Sequence, residues 1–181
     1  MKILKKIIKD NEKGFTLVEL LVSLFVIALI TALFLANYRS GQREREVIAT
    51  GEKLVNGLRE VQNMTIHRVN LTESDSGYGA YFNLSAPDRY LIFKDANNDR
   101  LYQAGELTRT VMLGGETKLE SIAPAGVSGQ LEIFFLAPNP TLYINGASTP
   151  AAAASIILRH NQVDFQKTVF VGGAGGKIYL D

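Results

Sequence analysis

The strongest constraint on this chain is an unbroken apolar run near its N-terminus. Residues 15 to 36 read FTLVELLVSLFVIALITALFLA. As a helix they extend about 33 Å, which matches the hydrocarbon thickness of a bilayer. The polar interruptions are Thr16, Glu19, Ser23 and Thr31. Threonine and serine return hydrogen bonds to their own helix backbone, so they are tolerated in lipid. A carboxylate is different. Glu19 must be paired, neutralised or held near the interface, which makes it a functional candidate. An ordinary secretory signal has a shorter apolar core followed by a small-residue cut site, and Leu35-Ala36-Asn37-Tyr38 does not supply one. A plain membrane anchor explains the length but leaves Glu19 without a role. A third reading places a cut ahead of the run, at Gly14.

Charge is distributed to suit a membrane segment. Lys2, Lys5, Lys6, Lys9 and Lys13 outweigh Asp10 and Glu12, so the first fourteen residues carry +3 against +1 for the whole chain. Lysines on this flank favour a cytoplasmic N-terminus. Beyond the run, Arg39, Arg43 and Arg45 interleave with Glu44 and Glu46, so the contrast between flanks is moderate. The remainder of the chain is slightly acidic, which is not the electrostatic footprint of a nucleic-acid binder. There is no cysteine, which excludes a disulfide framework or a thiolate metal site.

Lys13-Gly14-Phe15-Thr16-Leu17-Val18-Glu19-Leu20-Leu21-Val22 resembles the processing site of type IV pilins and of the pseudopilins of type II secretion. The resemblance implies that a prepilin peptidase cuts after Gly14 and methylates the new terminus at Phe15. It also implies that Glu19 serves subunit assembly. The physics agrees: a cut leaves a positive amine at Phe15 close to a carboxylate in apolar surroundings. Pairing Glu19 with the amine of a neighbouring subunit would satisfy both charges and set axial register.

The helical pattern continues beyond the membrane run. Val47, Leu54, Leu58, Val61 and Thr65 recur at helical spacing, widened by Ile48, Val55, Ile66 and Val69. The spacing predicts an amphipathic continuation to about residue 69. Gly41, Gly51 and Gly57 weaken it and are candidate bend points. No proline precedes Pro87, so a bend of this helix falls to glycine.

After residue 70 the period changes to two. Strands are predicted at 78–84, 89–94, 107–113, 117–122, 131–136, 141–144, 155–160, 166–171 and 177–180. The expected fold is α+β: a long N-terminal helix, transmembrane in its first half, packed on a mainly antiparallel β-sandwich. The segments are a basic leader (1–14), a transmembrane and assembly helix (15–37), its amphipathic continuation (38–69) and a β-rich domain (70–181). The order helix, GYGAYF, YLIFKDANNDRLYQAGE, then SIILRH and KTVFVGGAGGKIYL resembles the GspH/FimT-like minor pseudopilins.

Within the β-region, Asp95, Asn97, Asp99, Gln103 and Glu106 fall at positions 1, 3, 5, 9 and 12 of a twelve-residue stretch. That is the oxygen-ligand spacing of an EF-hand calcium loop. Arg100 stands where the sharp turn of such a loop normally requires glycine, and the flanks read as strands. The alternative is a hairpin loop whose Asn and Asp side chains cap its own backbone. The run from Gly172 to Gly176 precedes a strand rather than a helix, so it reads as a hairpin turn, not a phosphate loop. His67 and His160 have no ligand pattern around them and read as surface or packing residues. Thr149, Pro150 and Ala151 to Ala154 read as a loop.

Two functions compete. The first is a structural subunit, a minor pseudopilin or pilin of a type II secretion or type IV pilus machine. Its implied partners are the prepilin peptidase and methyltransferase, sister pilin or pseudopilin subunits and the inner-membrane assembly platform; it needs no cofactor and performs no catalysis. The second is a pilin-like tip or uptake subunit whose β-domain binds DNA or a secreted substrate. The available C-terminal cations, Arg159, Lys167 and Lys177, are opposed by Asp164 and Asp181, which argues against DNA. No triad or paired-carboxylate arrangement is legible for an enzyme.

Overall fold

The computed structural model describes residues 14–66, 77–126, 128–136, 141–148, 153–173 and 176–181, apart from the side chains of residues 36 and 37. The leader up to residue 13, His67, Val69 and residues 149–152 of the alanine-rich loop lie outside them. The chain divides into two compact units, with the boundary between Ser40 and Gly41. One α-helix, α1 (Leu17–Ile66), contributes to both.

In the first unit every described residue from Gly14 to Leu35 is exposed. This is the consequence of a helix that is apolar all round and has no partner within the chain to bury it against. Ser23 Oγ donates to Glu19 O and Thr31 Oγ1 to Ile27 O, each at 2.7 Å. The hydroxyls are thus returned to the helix backbone, as the sequence pattern requires of an apolar span.

In the second unit the rest of α1 meets nine strands, all antiparallel. They are β1 (Tyr78–Asn83), β2 (Arg89–Lys94), β3 (Leu107–Met112), β4 (Thr117–Ala123), β5 (Gln130–Leu136), β6 (Thr141–Ile144), β7 (Ala153–His160), β8 (Gln166–Gly172) and β9 (Lys177–Leu180). All nine lie where turn residues and β-branched runs predict them. At β7 the strand starts earlier than its pattern suggests: Ala153 and Ala154, expected in a loop, pair with Gly172 and Val171 of β8. A five-stranded sheet has the order β3-β2-β1-β5-β6 and a four-stranded sheet the order β4-β7-β8-β9. The chain leaves the first sheet after β3, places β4 in the second, and returns so that β5 pairs with β1. The exit turn uses Gly114 and Gly115 at φ 94° and 59°, a region that side chains disfavour.

The core lies among the helix stripe and both sheets. Leu54 and Leu58 of α1 join Phe82, Ile133 and Phe135 of the first sheet and Ile156, Leu158 and Val169 of the second. Val47, Val61 and Thr65 complete the predicted stripe. Ile48 is half-buried, whereas Ile66, expected on the stripe, is 39% exposed; it sits in the last turn, past the region the sheets cover. Two of the three helix glycines have a packing explanation. A Cβ on Gly57 would collide with Tyr90 Oη, and one on Gly51 would come within 2.6 Å of Leu180 Cδ1. Polar contacts fix the same arrangement. Arg59 Nη2 donates to Ile178 O at 3.0 Å. Glu46 Oε1 accepts from Glu116 N at 2.7 Å, and Arg109 pairs with Glu60 at 2.8 Å.

Candidate functional site

The segment Gly14–Glu19 is built around a helix start. Thr16 is the N-cap, and Leu20 N donates to Thr16 O at 3.2 Å, closing the first turn. Glu19 N donates to Thr16 Oγ1 at 3.2 Å. In return Glu19 Oε2 accepts from Thr16 N at 2.9 Å and from Thr16 Oγ1 at 2.8 Å. This reciprocal pattern is a capping box, which satisfies two of the backbone donors that a helix start leaves open. Its signature is legible in the sequence as Thr16-x-x-Glu19, but weighing Glu19 only as a charge in lipid misses it.

Two consequences follow for chemistry. All the bonds that Glu19 makes to Thr16 through its carboxylate use Oε2; Oε1 has no hydrogen-bond partner among the described residues. The carboxylate therefore holds the helix start with one oxygen and offers the other. A cut between Gly14 and Phe15 leaves the Thr16 amide intact, so the box does not depend on the leader. Gly14 itself is accessible: a Cβ built there would meet nothing within 4 Å. Phe15 is 82% exposed.

The second candidate, residues 95–106, is a loop closed on itself. Asp95 is fully buried, and its two oxygens accept from Asn98 N at 2.7 Å and Arg100 N at 2.9 Å. Asn97 Oδ1 accepts from Asp99 N at 3.1 Å. Asp99 accepts from Leu101 N, and from the side-chain amides of Asn97 and Gln103 at 2.9 and 2.6 Å. Glu106 accepts from Ala96 N and Gln103 N at 2.8 and 3.0 Å. Hydrogen bonding, first of all from Leu101 N, holds the Asp99 carboxyl below its usual range. Among the described residues no three acidic or histidine side chains converge as a cation site. Arg100, in the place of the EF-hand glycine, does adopt φ 64°. Its guanidinium lies 4.3 Å from the Tyr143 ring centroid, a stacking contact that helps hold the strained backbone.

This loop has a packing task. Phe93 and Phe134 alternate with the core residues Ile92, Ile133 and Phe135, so they lie on the opposite face of the first sheet. Both are nevertheless fully buried. Tyr102 of the loop packs edge-on to Phe93 at 5.6 Å and against Tyr81 at 4.8 Å. Tyr102 N donates to Glu132 Oε1 at 3.1 Å. Burial pushes the Glu132 carboxyl up, the bond from Tyr102 opposes this, and the charges of Asp99 and Glu106 add to it.

The remaining sequence candidates are structural. His160 is buried, with Nδ1 accepting from Gln162 N at 3.0 Å and Nε2 at 3.7 Å from Glu46 Oε2. Gly173 and Gly176, at φ 79° and 63°, turn β8 into β9; Ala174 and Gly175 lie outside the described residues. Arg159 is engaged by Glu120 at 3.1 Å and Asp164 at 3.2 Å, and Lys177 Nζ sits 5.3 Å from the Tyr179 ring centroid.

No curated protein and no solved structure matches the chain. Residues 9–35 match the family described as the prokaryotic N-terminal methylation motif. The motif supports a type IV pilin-like subunit, a structural class, and implies processing by a prepilin peptidase and assembly with other pilin subunits. The helix it opens is long and apolar enough to cross a membrane once, as a single-pass anchored subunit of that kind requires.

Proposed function

We propose that the chain is a minor pseudopilin or pilin of GspH/FimT type, serving a type II secretion pseudopilus or a type IV pilus. Prepilin peptidase cuts after Gly14, and Phe15 becomes the methylated terminus. The N-terminus faces the cytoplasm, and the β-domain lies on the outer side of the inner membrane. Glu19 joins the amine of a neighbouring subunit as the filament grows from the assembly platform.

The observation that carries this reading is the capping box at the head of a wholly exposed apolar helix. It supports Glu19 as a residue that keeps the helix start folded while one carboxylate oxygen stays available to another subunit. Mass spectrometry of the membrane-bound protein tests the processing: the expected terminus is methylated Phe15, and an intact Met1 would reject it. Glu19→Ala should be cut normally yet fail to enter filaments; normal incorporation would remove the assembly role. Neighbouring genes for a secretin or for a retraction ATPase would separate the two machines.

The uptake reading gains no support from Arg159, whose charge is already opposed by Glu120 and Asp164. A salt-sensitive gel shift with DNA would revive it. Calcium at residues 95–106 has its own test. Heat on calorimetric titration of the full-length protein in detergent with calcium would assign a cation to the loop, and no heat would leave it as the cover over Phe93 and Phe134.

A further inference from the structure

A groove of about 500 Å³ runs between α1 and β3. It contains two hydroxyls that the chain leaves unsatisfied. Thr50 is 3% and Tyr90 2% exposed, and neither hydroxyl has a hydrogen-bond partner among the described residues. Buried polar groups are almost always bonded, so two such exceptions lining one groove require an explanation. The groove also contains an unspent charge: Lys53 makes no ion pair among the described residues, whereas Arg109 is held by Glu60.

The shape of the groove says what fits. From Thr50 to Glu60 the helix wall measures about 15 Å, the length of four or five residues of extended chain. The other wall, β3, ends its sheet and is hydrogen-bonded only to β2, so one backbone edge is open for pairing. Val111 and Met112 give that wall apolar surface. We propose that the groove is a docking site for an extended acidic peptide of another protein, which pairs with β3 and sets a carboxylate against Lys53.

The two hydroxyls donate to carbonyl or carboxylate oxygens of this peptide. Burial pushes the Tyr90 hydroxyl up to about 12, so it remains a donor throughout the neutral range. This goes beyond the filament reading and does not depend on it, because none of these residues belongs to the processing motif or the apolar run.

A randomised pentapeptide library displayed on phage, selected on the full-length protein in lipid nanodiscs, tests the site. The expected result is enrichment of sequences alternating apolar and acidic residues, with β3 amides protected from hydrogen exchange when a synthetic copy of the selected peptide is bound. Lys53→Glu should weaken that peptide at least about tenfold. Tyr90→Phe should weaken it about fivefold without lowering the melting temperature, since the hydroxyl has no partner among the described residues. Absence of enrichment, a basic consensus, or binding that survives Lys53→Glu would overturn the proposal. So would a Tyr90→Phe protein that melts lower, or self-association abolished by the same variants, which would identify a second copy as the occupant.

Discussion

Between Leu17 and Leu35 no described side chain of α1 is buried; between Val47 and Thr65 one side of the same helix is sealed. The backbone is helical throughout, so the difference is made by side chains and by what they meet. The first half is apolar on every side and finds its cover outside the chain, in lipid or in other subunits. The second half is striped and finds its cover in two sheets of its own domain. Helix propensity therefore decides little here, because the two halves share a secondary structure and differ in where their apolar surface goes.

The largest test of this contrast is a matched pair of truncations. Leu58→Ala should destabilise the second unit by about 2–5 kcal/mol, seen in denaturant unfolding of the detergent-solubilised protein. Leu29→Ala should change the same measurement by less than about 0.5 kcal/mol and act, if anywhere, on assembly. Equal effects would break the comparison. A finer test uses the glycines. Gly57→Ala forces Tyr90 and the helix apart and should cost about 1–3 kcal/mol. Gly51→Ala meets only the flexible end of Leu180, and the gain of about 1 kcal/mol in helix propensity offsets much of the crowding. If Gly51→Ala proved as damaging as Gly57→Ala, the helix would be packed more rigidly against β9 than the contacts indicate.

The smallest effect concerns the cover over the outer face of the first sheet. The Glu132 carboxyl is raised in the folded state, so the folded protein holds its proton more tightly than the unfolded chain does. Its contribution to stability is favourable below the unfolded value near 4.5 and is lost as pH rises through the raised folded value. Glu132→Gln, which keeps an acceptor for Tyr102 N, should raise the melting temperature slightly at neutral pH and lose that advantage below pH 4.5. A variant that melts lower at neutral pH would show that the charge itself is needed.

The elements of this fold were legible because turn chemistry and period change sharply after residue 70. Their pairing was not. The neighbours β1 and β5, or β4 and β7, are joined by long excursions, and period-two patterns do not say which strand lies beside which. Within the site, Gly14, Phe15 and Glu19 stood out because they form a contiguous motif. The reciprocal bonds between Thr16 and Glu19 were also encoded there, yet a carboxylate in an apolar run invites an electrostatic reading before a conformational one. Gly51 and Gly57 suggested bends, because a sequence shows a missing side chain without showing what moves into the vacated space. The spacing of residues 95–106 admitted two answers, and only the direction of each carboxylate could separate a cation cage from a self-capped loop.

One contact carries a kinetic consequence. Arg59 reaches the carbonyl of Ile178, 119 residues further along the chain, and Leu180 fills the hollow left by Gly51. Closing so long a loop is slow and happens late. During synthesis the helix is made well before the strand that seals it. A chain anchored as soon as its apolar run emerged would therefore wait at the bilayer with a greasy flank still bare, vulnerable to proteases and to misassociation until β9 arrived.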